Sequence, residues 1–259
     1  AFQEVRCSII SKAEGTVALN MENAMQLFKA LRDLVVKLVL YPVFSKYVRM
    51  PGSSHSGQLE KLDPVESEIL ERSRKIVDVL AVEIGERSIK TPEALDRTVE
   101  YIEACFHELG YETERHSFDY RRIRMHNIIA EIPGESRPEE IVLLGAHYDT
   151  VIGTPGADDN ASGIAALLEL ARMLKDSKPA KTIRFVAFAN EENNGDGPLV
   201  LGSYHYAKEC SLRADKIIGM ISLEMLGCFS DEKGSQRYPY PFNLYYPRSG
   251  SFIAFVGNE

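Results

Sequence analysis

Residues 141–149 read Ile-Val-Leu-Leu-Gly-Ala-His-Tyr-Asp, an apolar run that stops abruptly at metal-ligand residue types. Two later stretches repeat the pattern: 183–192, Ile-Arg-Phe-Val-Ala-Phe-Ala-Asn-Glu-Glu, and 217–224, Ile-Ile-Gly-Met-Ile-Ser-Leu-Glu. Short apolar runs of this kind suit strands buried on both faces. Segments of helical spacing lie between them, at about 160–175 and 199–209, and a further candidate strand stands upstream at 126–132. The alternation predicts an α/β fold with a mostly parallel, mixed sheet flanked by helices on both faces. Ligands of such sheets bind beyond the carboxyl ends of the strands. His147, Asp149, Glu191, Glu192 and Glu224 all fall there.

Working outward, Asp63 followed by Pro64 and Glu66 is a capped helix start, with the helix running to about Gly85. A second helix opens at Thr91-Pro92 and is closed by Gly110 after Leu109. Residues 51–58 are polar and turn-forming and read as a linker between an appendage over 1–50 and a main domain over 59–259. Within the appendage, residues 23–41 place Leu27, Phe28, Leu31, Leu34, Val35 and Leu38 at helical spacing, with Lys29, Arg32, Asp33 and Lys37 on the other side. Such a helix packs on the body or makes weak contact with a membrane surface.

The 259 residues carry 30 Lys+Arg against 38 Asp+Glu, a net charge of −8, which argues against a nucleic-acid partner. Four cysteines, Cys7, Cys105, Cys210 and Cys228, are widely spaced, so zinc fingers and dithiol redox sites are excluded. The longest apolar run, 34–44, is interrupted by Lys37 and Pro42 and is too short for a membrane span. No recognisable signal peptide precedes it, and compartment and oligomeric state stay open.

Zinc takes imidazole nitrogen and carboxylate oxygen, and a catalytic site leaves a position for water. A pair of such ions needs a bridging carboxylate, terminal ligands for each and a separate base for the water. Adjacent Glu191 and Glu192 can divide the roles of base and ligand, because successive side chains point in different directions. Asp149, two residues beyond His147, can accept its other ring N–H.

The blocks Gly145-Ala-His-Tyr-Asp-Thr, Pro155-Gly-Ala-Asp-Asp-Asn-Ala-Ser-Gly163, Ile183 to Glu192, Gly202-Ser-Tyr-His-Tyr-Ala207 and Ser222-Leu-Glu-Met-Leu-Gly227 together resemble the di-zinc exopeptidases of metallopeptidase family 28. The family includes bacterial aminopeptidases and glutamate carboxypeptidases. The resemblance implies two Zn2+ ions and a peptide substrate, with hydrolysis of a terminal peptide bond by metal-activated water. His147 is then a terminal ligand, Asp159 the bridge, Glu191 the general base with Asp149 beside it, Glu192 a ligand of the second zinc, and Glu224 a ligand standing where many relatives have Asp. Asp158 reads instead as a cap at the start of the following helix.

One departure matters. Relatives supply a distal histidine to the second zinc, whereas the histidines here are His55, His107, His116, His126, His147 and His205, and none follows Lys208. His205 reads as a packing residue, and 251–259 as a strand entering a continuation. The alternative function is therefore a catalytically inactive fragment or pseudoenzyme acting as an interaction module. A serine hydrolase is excluded by the lack of G-x-S-x-G, and nucleotide binding by the lack of G-x-x-x-x-G-K-[ST] and G-x-G-x-x-G. A single-zinc glutaminyl cyclase fits less well because both glutamates of the pair are kept.

Overall fold

The computed structural model describes residues 25–40, 42, 60–192, 195–254 and 257. These fall in two compact units, 58–228 and 1–57 with 229–259. The linker read at 51–58 lies outside the described residues. The smaller unit holds helix α1, over 25–40, and a C-terminal segment closed by a bridge between Ser230 and Gly250. Of the strand expected over 251–259, residues 251–254 and 257 are not in strand, and the rest lie outside the described residues.

In the larger unit, α2 (Pro64–Asp78) starts with the reciprocal cap that the sequence predicts. Asp63 Oδ1 accepts the Glu66 N–H at 2.8 Å, and Glu66 Oε2 accepts the Asp63 N–H at 2.9 Å. The helix continues as a π-turn, Val79–Ile84, and stops at Gly85, whose φ of 83° suits glycine. Helix α3 (Pro92–Glu108) buries Leu95, Val99, Ile102 and Phe106 along one face, the 3.6-residue period expected of a helix on a sheet.

The strands are β1 (Thr113–Tyr120), β2 (Ile123–Ile132), β3 (Arg137–His147), β4 (Lys181–Phe188) and β5 (Lys216–Ser222), with α4 (Gly163–Leu174) and α5 (Gly202–Arg213) in the crossovers. They form one mixed sheet in the order β1-β2-β4-β3-β5. β3 is parallel to both β4 and β5, whereas β2 is antiparallel to β1 and β4. The parallel half carries the strand ends singled out by the sequence. Strand β1 has no counterpart in the sequence reading, because Thr-Glu-Arg-His-Ser-Phe-Asp-Tyr contains no apolar run. Its turn into β2 places Arg121 and Arg122 at φ 49° and 68°, where glycine or asparagine is the usual signal.

Helices cover both faces. Phe185 and Ala187 of β4 join Ile76 of α2, Phe106 of α3 and Ile164 of α4, while Val186 and Phe188 pack with Tyr206 and Cys210 of α5. This alternation follows from the two-residue period of a strand. β5 is an edge strand among the described residues, and its Ile218, Met220 and Ile221 are 42%, 49% and 53% exposed.

Arg87, in the turn between α2 and α3, is completely buried. Its Nε donates to the Tyr148 carbonyl at 2.7 Å. Its Nη1 donates to the carbonyls of Leu80 (2.7 Å), Gly85 (2.8 Å) and Pro155 (2.8 Å), and its Nη2 to that of Gly156 (3.0 Å). Burial lowers its pKa to about 10, against the pull of Asp149, so it stays charged at neutral pH. The guanidinium thus ties the end of α2 to the end of β3 and to the loop that leads into α4. Arg87→Met should lower the unfolding free energy by at least about 3 kcal/mol, since several buried carbonyls lose their donor at once. Arg87→Lys should fall between, because an ammonium cannot reproduce the planar fork. Urea unfolding followed by circular dichroism measures both, and a loss below about 1 kcal/mol for Arg87→Met would contradict the role given to this residue.

Candidate metal centre

Three parallel strands end side by side, with β3 in the middle. Gly145 pairs with Ser222, and His147 pairs with Phe188. The Leu223 N–H then donates to the Gly145 carbonyl at 2.8 Å, and the Tyr148 N–H to the Phe188 carbonyl at 2.9 Å. This pairing brings residues that follow each strand to the same end of the sheet. His147 Nε2 lies 3.1 Å from Asp159 Oδ1 and 3.4 Å from Glu224 Oε1. One ligand atom from each of His147, Asp159 and Glu224 lies within 4.8 Å of the others.

The histidine is buried, whereas the Asp159 and Glu224 side chains are 39% and 47% exposed, so the cluster opens to solvent on its acidic side. Asp159 Oδ1 is buried and has no hydrogen-bond partner. An acceptor atom in that position, facing an imidazole nitrogen and a second carboxylate, fits a cation that accepts N and O ligands. The donor set suits zinc and leaves room for water in the fourth position.

Asp149 is buried and holds the loop after β4. Its Oδ1 accepts the Glu191 N–H and its Oδ2 the Glu192 N–H, both at 3.0 Å. Its Oδ1 is 3.5 Å from His147 Nδ1, beyond a normal hydrogen bond, and that nitrogen is without a hydrogen-bond partner. The spacing of His147 and Asp149 suggested a direct bond between their side chains. The structure instead commits the carboxylate to two backbone amides.

Glu191 and Glu192 stand outside the three-residue ligand cluster but within its electrostatic field. Burial raises the Glu192 carboxyl to about 7, with Asp159 and Glu191 adding to the effect. The Glu191 carboxyl is also raised, first by burial and then by Asp149, Glu224 and Asp159, against the opposing pull of His147. For His147, burial alone would lower the pKa; the neighbouring carboxylates of Asp149 and Glu224 outweigh it and push the value up to about 11.

Two further residues shape the centre. Asn160, fully buried, donates from Nδ2 to the Leu223 carbonyl at 2.9 Å and to Glu224 Oε2 at 3.0 Å, while its Oδ1 accepts the N–H groups of Gly163 (3.0 Å) and Met225 (3.2 Å). It therefore orients Glu224 and joins α4 to the segment after β5. An asparagine three residues before a helical glycine is a capping signal that the sequence offers. Gly163 is required there, since a Cβ would meet Asn160 Oδ1 at 2.3 Å and the Leu223 carbonyl oxygen at 2.6 Å. Asp158 is not the helix cap that the sequence suggests. Its Oδ1 accepts the Gly227 N–H at 2.8 Å, and Asn160 takes the capping bond instead. The other described histidines are engaged elsewhere: His107 with Thr113, His116 with Asn127, His126 with Ser117, and His205 stacked on Phe118 at 4.5 Å.

Comparison with known proteins gives the centre a context. Residues 127–243 match the model of the family described as peptidase family M28. Over 196 residues the chain is 37% identical to the protein YfbL of Escherichia coli (strain K12), a match covering 72% of this chain and 59% of YfbL. It is 41% identical over 107 residues to the aminopeptidase YwaD of Bacillus subtilis (strain 168), covering 41% of this chain and 22% of that protein. The chain thus spans less than two thirds of these relatives' length. Its fold is similar to a zinc aminopeptidase from Bacillus subtilis, with a TM-score of 0.54 at 18% identity, covering 64% of this chain and 71% of that one. It is also similar to an Acidobacteriales bacterium glutaminyl cyclase, with a TM-score of 0.53 at 21% identity, covering 68% and 64%.

The raised pKa of His147 sets a sign for metal binding, because zinc displaces the proton that the carboxylates hold on the ring. Zinc affinity should rise about tenfold per pH unit between pH 6 and 8, with proton release on binding. Titration calorimetry in buffers of different ionisation enthalpy reads both quantities. An affinity independent of pH over that range would show that His147 is not a ligand.

Proposed function

From the homology of residues 127–243 to peptidase family M28, we propose that this chain carries the catalytic part of a zinc-dependent exopeptidase, an aminopeptidase, that hydrolyses terminal peptide bonds. The observation that carries the reading is the meeting of one imidazole and two carboxylates at the ends of three parallel strands, beside a glutamate pair whose backbone hangs from Asp149. His147 through Nε2, Asp159 and Glu224 would hold one zinc. Asp159 and Glu192 would hold the second, with Asp159 as the bridge. Zinc, when bound, polarises the scissile carbonyl and acidifies water.

The protein's own groups do the rest. Glu191 takes a proton from the attacking water and returns it to the leaving amine nitrogen, a task that its raised pKa favours. Asp149 positions Glu191 and Glu192 together by fixing their amides. Asn160 holds Glu224 toward the imidazole. The division into an appendage over 1–50, a linker over 51–58 and an exopeptidase domain over 59–259 belongs to the same reading.

One observation favours a second reading, a non-catalytic relative that serves as an interaction module. The second zinc position draws on carboxylates alone, since every described histidine other than His147 is engaged elsewhere. On the donor sets, the purified chain should hold one zinc tightly and a second weakly. Glu191→Gln should leave the zinc content unchanged and lower kcat for an aminoacyl p-nitroanilide by about 10²- to 10⁴-fold, because the amide cannot accept the proton. Asp159→Ala should instead lose zinc. Metal content and rate, measured on the same preparations, separate the readings. Zinc loss in Glu191→Gln with undiminished activity per metal would exchange the roles of base and ligand, and a zinc-loaded parent without turnover would favour the interaction module.

A further inference from the structure

Glu224 sits on a segment that no regular element secures. Residues 223–227 belong to no helix or strand, and the bond from the Leu223 N–H to the Gly145 carbonyl ends their pairing with β3. What holds them is the stretch of chain that enters α4. Three successive amides are each taken by a different side chain there: the Met225 N–H donates to Asn160 Oδ1 at 3.2 Å, the Leu226 N–H to Ser162 Oγ at 2.9 Å, and the Gly227 N–H to Asp158 Oδ1 at 2.8 Å. The Ser162 hydroxyl in turn donates to the Asp158 carbonyl oxygen at 2.6 Å, which ties the outer two of these residues to each other. Asn160 and Ser162 are both buried.

The fit is close, and the segment is held in a strained form. A Cβ on Gly227 would come to 3.1 Å from Ser162 Cβ and 3.2 Å from Asp158 Oδ1, so the chain lies directly against these residues. Met225, immediately after the ligand, has a φ of 48°. That left-handed backbone is unfavourable for a residue with a side chain and persists only where its surroundings over-determine it. The three amide bonds supply that constraint. Asp159 stands between Asp158 and Asn160 in the chain, so the same short stretch carries one member of the triad and grips the segment of another.

We propose that Asp158 and Ser162 are positioning residues of the metal centre, which together with Asn160 set Glu224 against Asp159, although neither belongs to the ligand cluster. Asn160 fixes the carboxylate end of Glu224 through Oε2, and Asp158 and Ser162 fix the backbone that follows it. A flexible glutamate on irregular backbone would otherwise lose its freedom only on binding the metal, at the expense of affinity. Removing one acceptor lets 225–227 relax from the left-handed turn and carry Glu224 away from His147 Nε2. The inference rests on the reading of Glu224 as a ligand of one zinc.

Zinc affinity of the full chain, measured by competition with a chromophoric chelator, tests it. Asp158→Ala and Ser162→Ala should each weaken the tight zinc about tenfold, as loss of an outer partner of a metal ligand does. Asp158→Asn should bind zinc as the parent does, because its amide oxygen can still accept the Gly227 N–H. In a Glu224→Ala background neither alanine substitution should weaken binding further, since both act through that ligand. Circular dichroism of the zinc-free variants checks that the fold is kept; should Asp158→Ala fail this check, Ser162→Ala and Asp158→Asn carry the test. Full zinc affinity in the alanine variants, a loss that persists undiminished in the Glu224→Ala background, or an Asp158→Asn variant as weak as Asp158→Ala would each overturn the proposal. The last outcome would assign the effect to the charge of Asp158. Should Glu224→Ala itself leave the affinity unchanged, the reading of Glu224 as a ligand falls and the positioning role with it, so that one variant tells the two failures apart.

Discussion

The buried guanidinium of Arg87 is the contact on which the geometry of the metal centre depends. It reaches three separate pieces of chain: the π-turn that follows α2 and ends at Gly85, the residue after β3 at Tyr148, and the Pro155-Gly156 loop. A cation can remain in such a place only if its donors are all met by acceptors, and here backbone carbonyls serve instead of a paired acid. The loop is thereby held three residues ahead of Asp159, and the strand end one residue beyond His147. Gly156 completes the junction, because a Cβ there would meet Thr150 Cγ2 at 2.3 Å and the Asp159 carbonyl oxygen at 2.4 Å. A residue without a side chain and one with a long side chain, neither of them a member of the triad, fix the distance between two of its members.

The electrostatics of the centre follow from what this scaffold gathers. Asp149, Asp159, Glu191, Glu192 and Glu224 surround one imidazole, and like charges about 4 Å apart repel by about 4 kcal/mol at an effective dielectric of 20. The folded protein relieves this strain in two visible ways. His147 holds its proton far above the ordinary range, and Glu192 takes one up near neutral pH. A divalent cation relieves it more completely, which is why orphaned Asp159 Oδ1 and an adjacent imidazole nitrogen fit a metal better than they fit each other. Asp149 helps to hold that proton on His147 while its two oxygens accept the amides of Glu191 and Glu192.

The two units differ in the same currency. The larger concentrates carboxylates at one end of its sheet, and the smaller carries a net positive charge beside an exposed apolar stripe. The carboxylate cluster points to something outside the polypeptide, a metal ion. Within the larger unit, these groups would be costly to leave in the arrangement observed without such a partner.

The sequence by itself determined the parallel half of the sheet, the capped start of α2 and the position of His147 and Glu224 at strand ends, because apolar runs that end in ligand residues encode both strand and site at short range, whereas Asp159 is singled out by the family resemblance of 155–163. Tertiary structure alone decided the rest. β1 forms because β2 offers it a partner, and no local pattern in Thr113–Tyr120 announces it. Nothing local to Arg87 shows that five carbonyls from three segments will close around it. Asp158 and Asn160 exchange the capping role expected of the first, because the residues that compete for their side chains, Leu223 to Gly227, lie more than sixty positions away. Local sequence fixes which groups are present and which way a strand runs. Which hydrogen bond a buried polar group finally makes depends on distant partners, which are known only once the chain has folded.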